Sequence, residues 1–93
     1  MIVSFKHKGL RELFVQGSTA RLPQERVKKI EKLLSMLDSV TVLEELNRAA
    51  LRLHRLKKPP LDGYYSIDVS ANYRLVFRFE SGSVADLDYM DTH

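Results

Sequence analysis

Tyr73-Arg-Leu-Val-Phe-Arg-Phe79 is the stretch of this sequence that decides the fold. Its aromatic and aliphatic residues alternate with Arg74 and Arg78, and a period of two residues is typical of a β-strand with one buried face. The face that we expect to be buried carries Tyr73, Leu75, Phe77 and Phe79. Ser81-Gly82 is a hairpin signal, so the pattern also predicts a last strand from Val84 to about Asp91.

A helical pattern upstream supplies the surface that can cover this strand. Between Pro23 and Ser39, apolar residues recur at every third or fourth position, which predicts an α-helix with one apolar side. That side consists of Val27, Ile30, Leu33, Leu34 and Leu37. Pro23 suits a first helical turn because an N–H is not needed there. A shorter helix is expected from His7 to Val15, with Gly17 as its stop.

The remaining segments predict short elements. Ile2 to Phe5 and Tyr64 to Val69 alternate and carry β-branched or aromatic residues, so both are expected to be strands. Val42 to Asn47 predicts a short turn of helix, and Leu51 to Leu56 predicts another strand. Prolines exclude the following segment, Lys57 to Gly63, from any hydrogen-bonded ladder, so it is expected to be a loop.

Together these elements predict a single α+β domain over residues 1–93, with two helices packed on one face of a small, mostly antiparallel β-sheet. The sheet would then keep a second face open, and Arg74 would lie on it. By alternation His54 shares that open face if the neighbouring leucines face the helices. Asp91 and His93 have equal parity on the last strand. We therefore expect these side chains to converge.

Composition limits the possible chemistry. A chain of 93 residues suits one small core. The absence of cysteine excludes disulfides and thiolate metal sites, and the spacing of Asp86, Asp88 and Asp91 does not match a ligand loop, so we expect neither metal nor cofactor. No apolar run is long enough to span a membrane, and Lys6 interrupts the N-terminus too early for a signal peptide. We expect a cytoplasmic protein without a membrane partner.

The net charge of +3 is unevenly distributed. Residues 1–58 hold 13 Lys and Arg against 6 Asp and Glu, whereas residues 59–93 hold 2 against 6. A basic first segment favours a polyanionic partner, most simply a nucleic acid, although an acidic protein or a merely solvated helix surface fits equally well.

Two histidines and a set of cations stand among the predicted strands. A histidine can exchange a proton near neutral pH, and arginine or lysine can stabilise a phosphate that gains charge. His54, His93, Lys57 and Arg74 are therefore suited to cleaving RNA without a metal. On the residues alone, a histidine in a strand is more often structural, and strand-edge cations are often only solvated.

The sequence resembles a known family, the HigB branch of the RelE-type toxins. The stretches that carry the resemblance run through nearly the whole chain: Met1-Ile-Val-Ser-Phe-Lys-His-Lys-Gly-Leu10, Leu37-Asp38, Glu45-Leu-Asn47, Leu53-His-Arg-Leu-Lys57, Gly63-Tyr-Tyr-Ser-Ile67, Asn72-Tyr-Arg-Leu-Val-Phe-Arg-Phe79 and Asp91-Thr-His93. The resemblance implies helices against a small antiparallel sheet. It also implies a type II toxin–antitoxin toxin that acts as a ribosome-dependent messenger RNA endoribonuclease and inhibits translation. A helix-turn-helix antitoxin would neutralise it, and operator DNA would be reached only indirectly, through that antitoxin.

The resemblance carries family roles onto matching positions. His54 and Lys57 match the histidine and lysine of a His-x-Leu-Lys motif, and Arg74 matches an arginine that follows an aromatic residue. Asp91 and His93 match the ends of a terminal Asp-Tyr-His. These five residues are the predicted catalytic set.

Three further residues are predicted to contact RNA, namely Lys58, Arg78 and Tyr73. The chain departs from the family pattern at two positions. Thr92 stands where the family usually has tyrosine, which puts base positioning in doubt, and Tyr73 replaces the more usual tryptophan. Tyr89 is a candidate for supplying some of the missing aromatic surface.

Cleavage by the RNA's own 2′-hydroxyl needs a base, an acid and cationic donors for the phosphorane. We expect His93 to act as the base, with Asp91 orienting or polarising the site, and His54 to act as the acid. The two histidine roles are interchangeable. Lys57 and Arg74 would hold the phosphate.

Thr92 keeps a second interpretation open. In this interpretation the protein is a catalytically weak or inactive binding module that acts with its antitoxin as an operon co-repressor. A DNA-binding protein is the third and weakest class, because no helix-turn-helix pair is evident.

Overall fold

The helices and the sheet follow one another along the chain. The computed structural model describes residues 1–91, over which a pair of α-helices precedes a four-stranded antiparallel sheet with the order β1-β2-β3-β4. The helices are α1 (Lys8–Gln16) and α2 (Val27–Ser39), and the strands are β1 (His54–Arg55), β2 (Tyr65–Asp68), β3 (Tyr73–Glu80) and β4 (Ser83–Asp91). Short 3₁₀ turns lie at Gln24–Arg26, Leu43–Leu46 and Ala49–Leu51. The predicted α+β architecture is confirmed.

The core lies between the helices and one face of the sheet. The whole predicted side of α2 is buried, and Leu10 and Leu13 of α1 join it. The sheet contributes fully buried residues from three strands, namely Ile67, Leu75, Phe77 and Leu87. Tyr73 was expected in this core, but 37% of its surface is exposed, because it begins β3 at the end of the sheet. No helix among residues 1–91 is long and apolar enough to cross a membrane.

Local contacts explain where the helices begin and end. The His7 side chain caps α1, since its Nδ1 accepts a hydrogen bond from the Leu10 N–H at 3.2 Å. Gly17 ends the helix in the left-handed region at φ 72°, as the sequence predicted for a stop. The expected start of α2 at Pro23 is only partly right, because a separate 3₁₀ turn occupies Gln24–Arg26 before the regular helix begins at Val27.

Two predicted strands differ from the structure. The strand expected over Leu51–Leu56 shrinks to His54–Arg55, because Leu51 ends a 3₁₀ turn and Arg52 then takes a left-handed backbone conformation with φ 50°. The segment 2–5 is not a continuous strand. It makes two isolated parallel bridges to β4, one from Ile2 and one from Phe5.

The β3–β4 hairpin has the predicted tight turn and one irregularity. Ser81 and Gly82 both have positive φ, 51° and 79°, as a two-residue hairpin loop requires. Further along, Val76 pairs with Asp88 while Arg78 pairs with Ala85, so β4 contains one extra residue. Asp86 lies in this bulge with φ 52°.

Candidate active site

Several predicted site residues meet in a cleft on the open face of the sheet. The cleft has a volume of about 450 Å³ and is lined by His54, Arg55, Leu56, Lys57, Lys58, Leu61 and Arg74. The strand register explains the meeting. His54 pairs with Ser66 and Arg74 pairs with Asp68, two residues further along β2, so alternation places His54 and Arg74 on one face. We call this space the open-face cleft.

The His54 ring is held by one backbone contact. Its Nδ1 lies 2.6 Å from the carbonyl oxygen of Arg52, and the side chain is otherwise exposed. A carbonyl oxygen can only accept a hydrogen bond, so Nδ1 carries the proton. In the neutral ring Nε2 is then the nitrogen that can accept a proton, and in the charged ring it can give one. The contact therefore selects one tautomer and assigns proton exchange to Nε2.

Arg74 is anchored on two sides. Its terminal NH1 donates a hydrogen bond to the Ser66 hydroxyl at 3.2 Å, and its Nε lies 3.2 Å from Asp68 Oδ1. The opposite oxygen of the same carboxylate lies 3.3 Å from Nε of Arg52. The Arg74 side chain is only 25% exposed. The guanidinium is thus restrained at the wall of the cleft by one hydrogen bond and one ion pair.

Sequence reasoning gave no role to these anchoring residues. Ser66 and Asp68 lie within the predicted strand from Tyr64 to Val69, and neither they nor Arg52 were singled out. The usable signal was weak: two polar residues alternate with apolar ones on a strand whose other face is buried. Their partners depend on the register between β2 and β3, which a single sequence does not contain.

Lys57 and Lys58 lie on the loop that follows β1. Two backbone hydrogen bonds close the base of this loop, from Leu56 N–H to Tyr64 O at 2.7 Å and from Gly63 N–H to Leu56 O at 2.9 Å. Both lysines are exposed at the cleft. Long flexible ammonium side chains at this position suit contacts to phosphate better than contacts to the protein core.

The strand register separates Asp91 from the open-face cleft. Asp91 pairs with Tyr73, so alternation places it on the face opposite Arg74, and the expected convergence with Arg74 on one face is not met. Alternation along β4 shows only which of its residues share a face. The register with β3 is needed to show which face of the sheet that is. His93 and Thr92 lie outside the described residues.

Tyr73 and Tyr89 form a second surface at the end of the sheet. Their rings stack with centroids 4.9 Å apart and an interplanar angle of 16°. They line a cleft of about 350 Å³ together with Arg26 and Asn72. Burial raises the pKa of the Tyr89 hydroxyl, and the neighbouring Tyr73 adds to this shift, so the hydroxyl stays protonated at neutral pH.

Arg78 lies away from the open-face cleft. It is four residues further along β3 than Arg74, about 13 Å at the usual rise of a strand. Its Nε donates to Asp86 at 2.7 Å, and its NH1 contacts Glu80. The hydrogen bond to Asp86 raises the pKa of the guanidinium. This arginine fastens the bulge of β4, and its predicted contact with RNA remains a prediction.

The arrangement can bind a phosphate and exchange a proton. One wall supplies an oriented guanidinium, the loop supplies two ammonium groups, and β1 supplies an exposed imidazole with a defined tautomer. Among residues 1–91 no group of three or more His, Asp or Glu side chains could hold a metal ion.

Comparisons with known proteins identify the family and the fold of this chain. Residues 3–93 match the family described as RelE-like toxin of type II toxin-antitoxin system HigB. The chain is 45% identical to the endoribonuclease HigB of Proteus vulgaris over 93 residues, which cover the whole of both chains. Two solved structures of the Staphylococcus aureus YoeB-YefM complex show the same fold. One, a heterotetrameric toxin–antitoxin complex, has a TM-score of 0.62 at 22% identity and covers 100% of this chain and 95% of that chain. The other has a TM-score of 0.56 at 24% identity and covers 97% and 95%.

Proposed function

Because the chain belongs to the HigB family of RelE-like toxins of type II toxin–antitoxin systems, we propose that it is an endoribonuclease that cuts messenger RNA on the ribosome and thereby inhibits translation. The full-length similarity to an endoribonuclease supports the reaction. The requirement for the ribosome is also part of this proposal.

The observation that carries the proposal is the meeting of His54, Lys57 and Arg74 in one cleft. A phosphodiester bound there would contact the guanidinium and the ammonium group, and its leaving oxygen would be within the range of an exposed imidazole. Three other clefts, beside Leu43, Tyr73 and Phe14, are not lined by a histidine.

The reaction needs no metal. The 2′-hydroxyl of the RNA attacks the neighbouring phosphorus, its proton leaves to a base, and the 5′-oxygen takes a proton as its bond to phosphorus breaks. We assign the acid to Nε2 of His54, because the contact of Nδ1 with the Arg52 carbonyl directs exchange to that nitrogen. Arg74 and Lys57 stabilise the phosphorane. His93 is proposed as the base, and Asp91 is proposed to orient or polarise the site.

The partners follow from family membership. We propose that a helix-turn-helix antitoxin neutralises the protein and that operator DNA is reached only through this antitoxin. Messenger RNA and the ribosome are the proposed targets, and the cytoplasm is the compartment where they meet. The cationic cleft supports a polyanionic target, since phosphates are its natural ligands.

Two observations favour a second candidate, a toxin-like binding module with little nuclease activity. Thr92 replaces the tyrosine expected from the family, and the register places Asp91 on the face opposite Arg74. Such a module would act with the antitoxin as a co-repressor of their operon.

Induced expression in a bacterial host separates these candidates. A nuclease should arrest growth and produce new 5′ ends within translated messages. Co-expression of the cognate antitoxin should relieve the arrest. A His54→Ala variant at equal soluble level is the matched control. Normal growth and intact messages with the wild-type chain would favour the binding module.

A further inference from the structure

Asp68 stands between two arginines on the open face of the sheet. Its Oδ1 lies 3.2 Å from Nε of Arg74, and its Oδ2 lies 3.3 Å from Nε of Arg52. The carboxylate side chain is 21% exposed, so it is partly shielded from water. Neither the resemblance nor the predicted site assigned this residue any role.

The first contact fixes the guanidinium of Arg74. The pair with Asp68 holds the Nε edge, and the hydrogen bond to Ser66 holds NH1. One hydrogen bond, to Ser66, and one ion pair, to Asp68 Oδ1, together restrain the guanidinium, although the ion pair does not have hydrogen-bond geometry. The remaining N–H groups then keep one orientation, which suits paired contacts to phosphate oxygens.

The second contact connects Asp68 to His54 through the backbone of Arg52. Arg52 has a left-handed conformation with φ 50° and ψ 55°, which is disfavoured for a residue with a side chain. Its guanidinium pairs with Asp68, while its carbonyl oxygen receives the hydrogen bond from His54 Nδ1 at 2.6 Å. The ion pair therefore links Asp68 to the residue whose carbonyl selects the His54 tautomer.

We propose that Asp68 is a positioning residue that sets Arg74 and His54 in one geometry toward the same RNA phosphate. This inference rests on the proposed nuclease function. Asp68 touches neither substrate nor reacting atoms, and it acts through the two residues that do. If Asp68 acted only through its charge, it would compete with phosphate for the guanidinium of Arg74. Removing that charge would then raise the cleavage rate, which is the opposite of what a positioning role predicts.

Asp68→Asn tests the inference, with Asp62→Asn as the matched control. Asp62 is exposed, lies on the loop of the cleft and makes no salt bridge among residues 1–91. Both variants remove one negative charge. We expect Asp68→Asn to lower the single-turnover cleavage rate about tenfold or more while RNA affinity stays equal or rises, because geometry is lost and a repelling charge is gone. Asp62→Asn should leave the rate unchanged.

A second readout does not depend on cleavage. Long-range ¹H–¹⁵N spectra of the His54 ring report which nitrogen carries the proton, and wild type should show it on Nδ1. Asp68→Asn and Arg52→Gln should both give a mixture of tautomers. Arg52→Gln removes a side chain that is 64% exposed, so it tests the same contact without threatening the core.

Three results would overturn the inference: a wild-type rate in folded Asp68→Asn, a raised rate, or an unchanged His54 tautomer in both variants. If the wild-type chain does not cleave RNA at all, the proposed function fails. The tautomer spectra still decide whether Asp68 positions His54.

Discussion

The ring of Tyr73 lies parallel to the ring of Tyr89, with centroids 4.9 Å apart and planes 16° from each other. The pair joins the start of β3 to the end of β4. Tyr73 keeps 37% of its surface exposed while Tyr89 is more buried. An exposed ring supported from behind is a suitable stacking surface for a nucleobase.

Replacing Tyr73 by leucine tests this surface. Stacking of a base on an aromatic ring contributes about 1–3 kcal/mol, so Tyr73→Leu should weaken RNA binding by about 5- to 150-fold. Tyr73→Phe is the control, because it keeps the ring and loses only the hydroxyl. The check is a binding titration with a short single-stranded RNA at fixed salt. Equal affinities for the leucine and phenylalanine variants would show that the ring does not stack on RNA.

Removing the charge of Lys57 should reduce both RNA affinity and its salt dependence. Each phosphate contact of a cation contributes about one unit or slightly less to the slope of log affinity against log salt. Lys57→Gln should therefore lower the slope by roughly one. Lys28→Gln is the matched control, because Lys28 is exposed on α2, which packs against the covered face of the sheet. A slope for Lys57→Gln equal to that of wild type would assign Lys57 to the solvated surface.

Glu45 should contribute to stability in a pH-dependent way. Its carboxylate accepts hydrogen bonds from the backbone N–H groups of Thr41 at 2.7 Å and Val42 at 3.2 Å, and these bonds lower the pKa of Glu45 below its ordinary value of 4.5. A lowered folded-state pKa stabilises the fold above pH 4.5, and this contribution disappears as the pH falls through the folded-state value.

Thermal melting of Glu45→Gln against wild type measures this contribution. The variant should melt lower at neutral pH, and the difference should shrink below pH 4.5. A difference that is constant from neutral to acidic pH would mean that the charge of Glu45 is not responsible.

Deleting His93 tests the proposed base. If this residue takes the proton of the 2′-hydroxyl, the deletion should lower cleavage by about 10²–10⁴-fold. Thermal melting and antitoxin binding should stay close to wild type. Thr92→Tyr restores the residue usual in the family and should leave cleavage equal or raise it. Full cleavage by the deletion variant would show that His93 is not the base and would leave His54, Lys57 and Arg74 as the catalytic residues.

Much of the fold could be predicted because strong periodicity decides it. The apolar side of α2 and the alternation of β3 each require burial, and they bury each other. The Leu51–Leu56 prediction failed because burial of Leu51 comes from a 3₁₀ turn, and the reversal at Arg52 has no marker such as glycine. The bulge at Asp86 was missed for the same reason.

The site was only partly predictable. His54, Lys57 and Arg74 were expected together, and the structure brings them together, although His54 owes its position to a two-residue strand and not to the longer strand that was predicted. Alternation along one strand fixes a face, but contact across strands needs the register. That is why Asp68 was missed and why Asp91 was expected on the wrong side of Arg74.

The central claim is that the open-face cleft cuts RNA with His54 as a proton-transfer group. Its most direct test is mapping of 5′ ends on a message under translation, with purified wild-type and His54→Ala proteins at equal concentration. Thermal melting first confirms that the two proteins are equally folded. We predict cuts with wild type and a rate lower by about 10²–10⁴-fold with His54→Ala. Equal cleavage by the two folded proteins would contradict this claim.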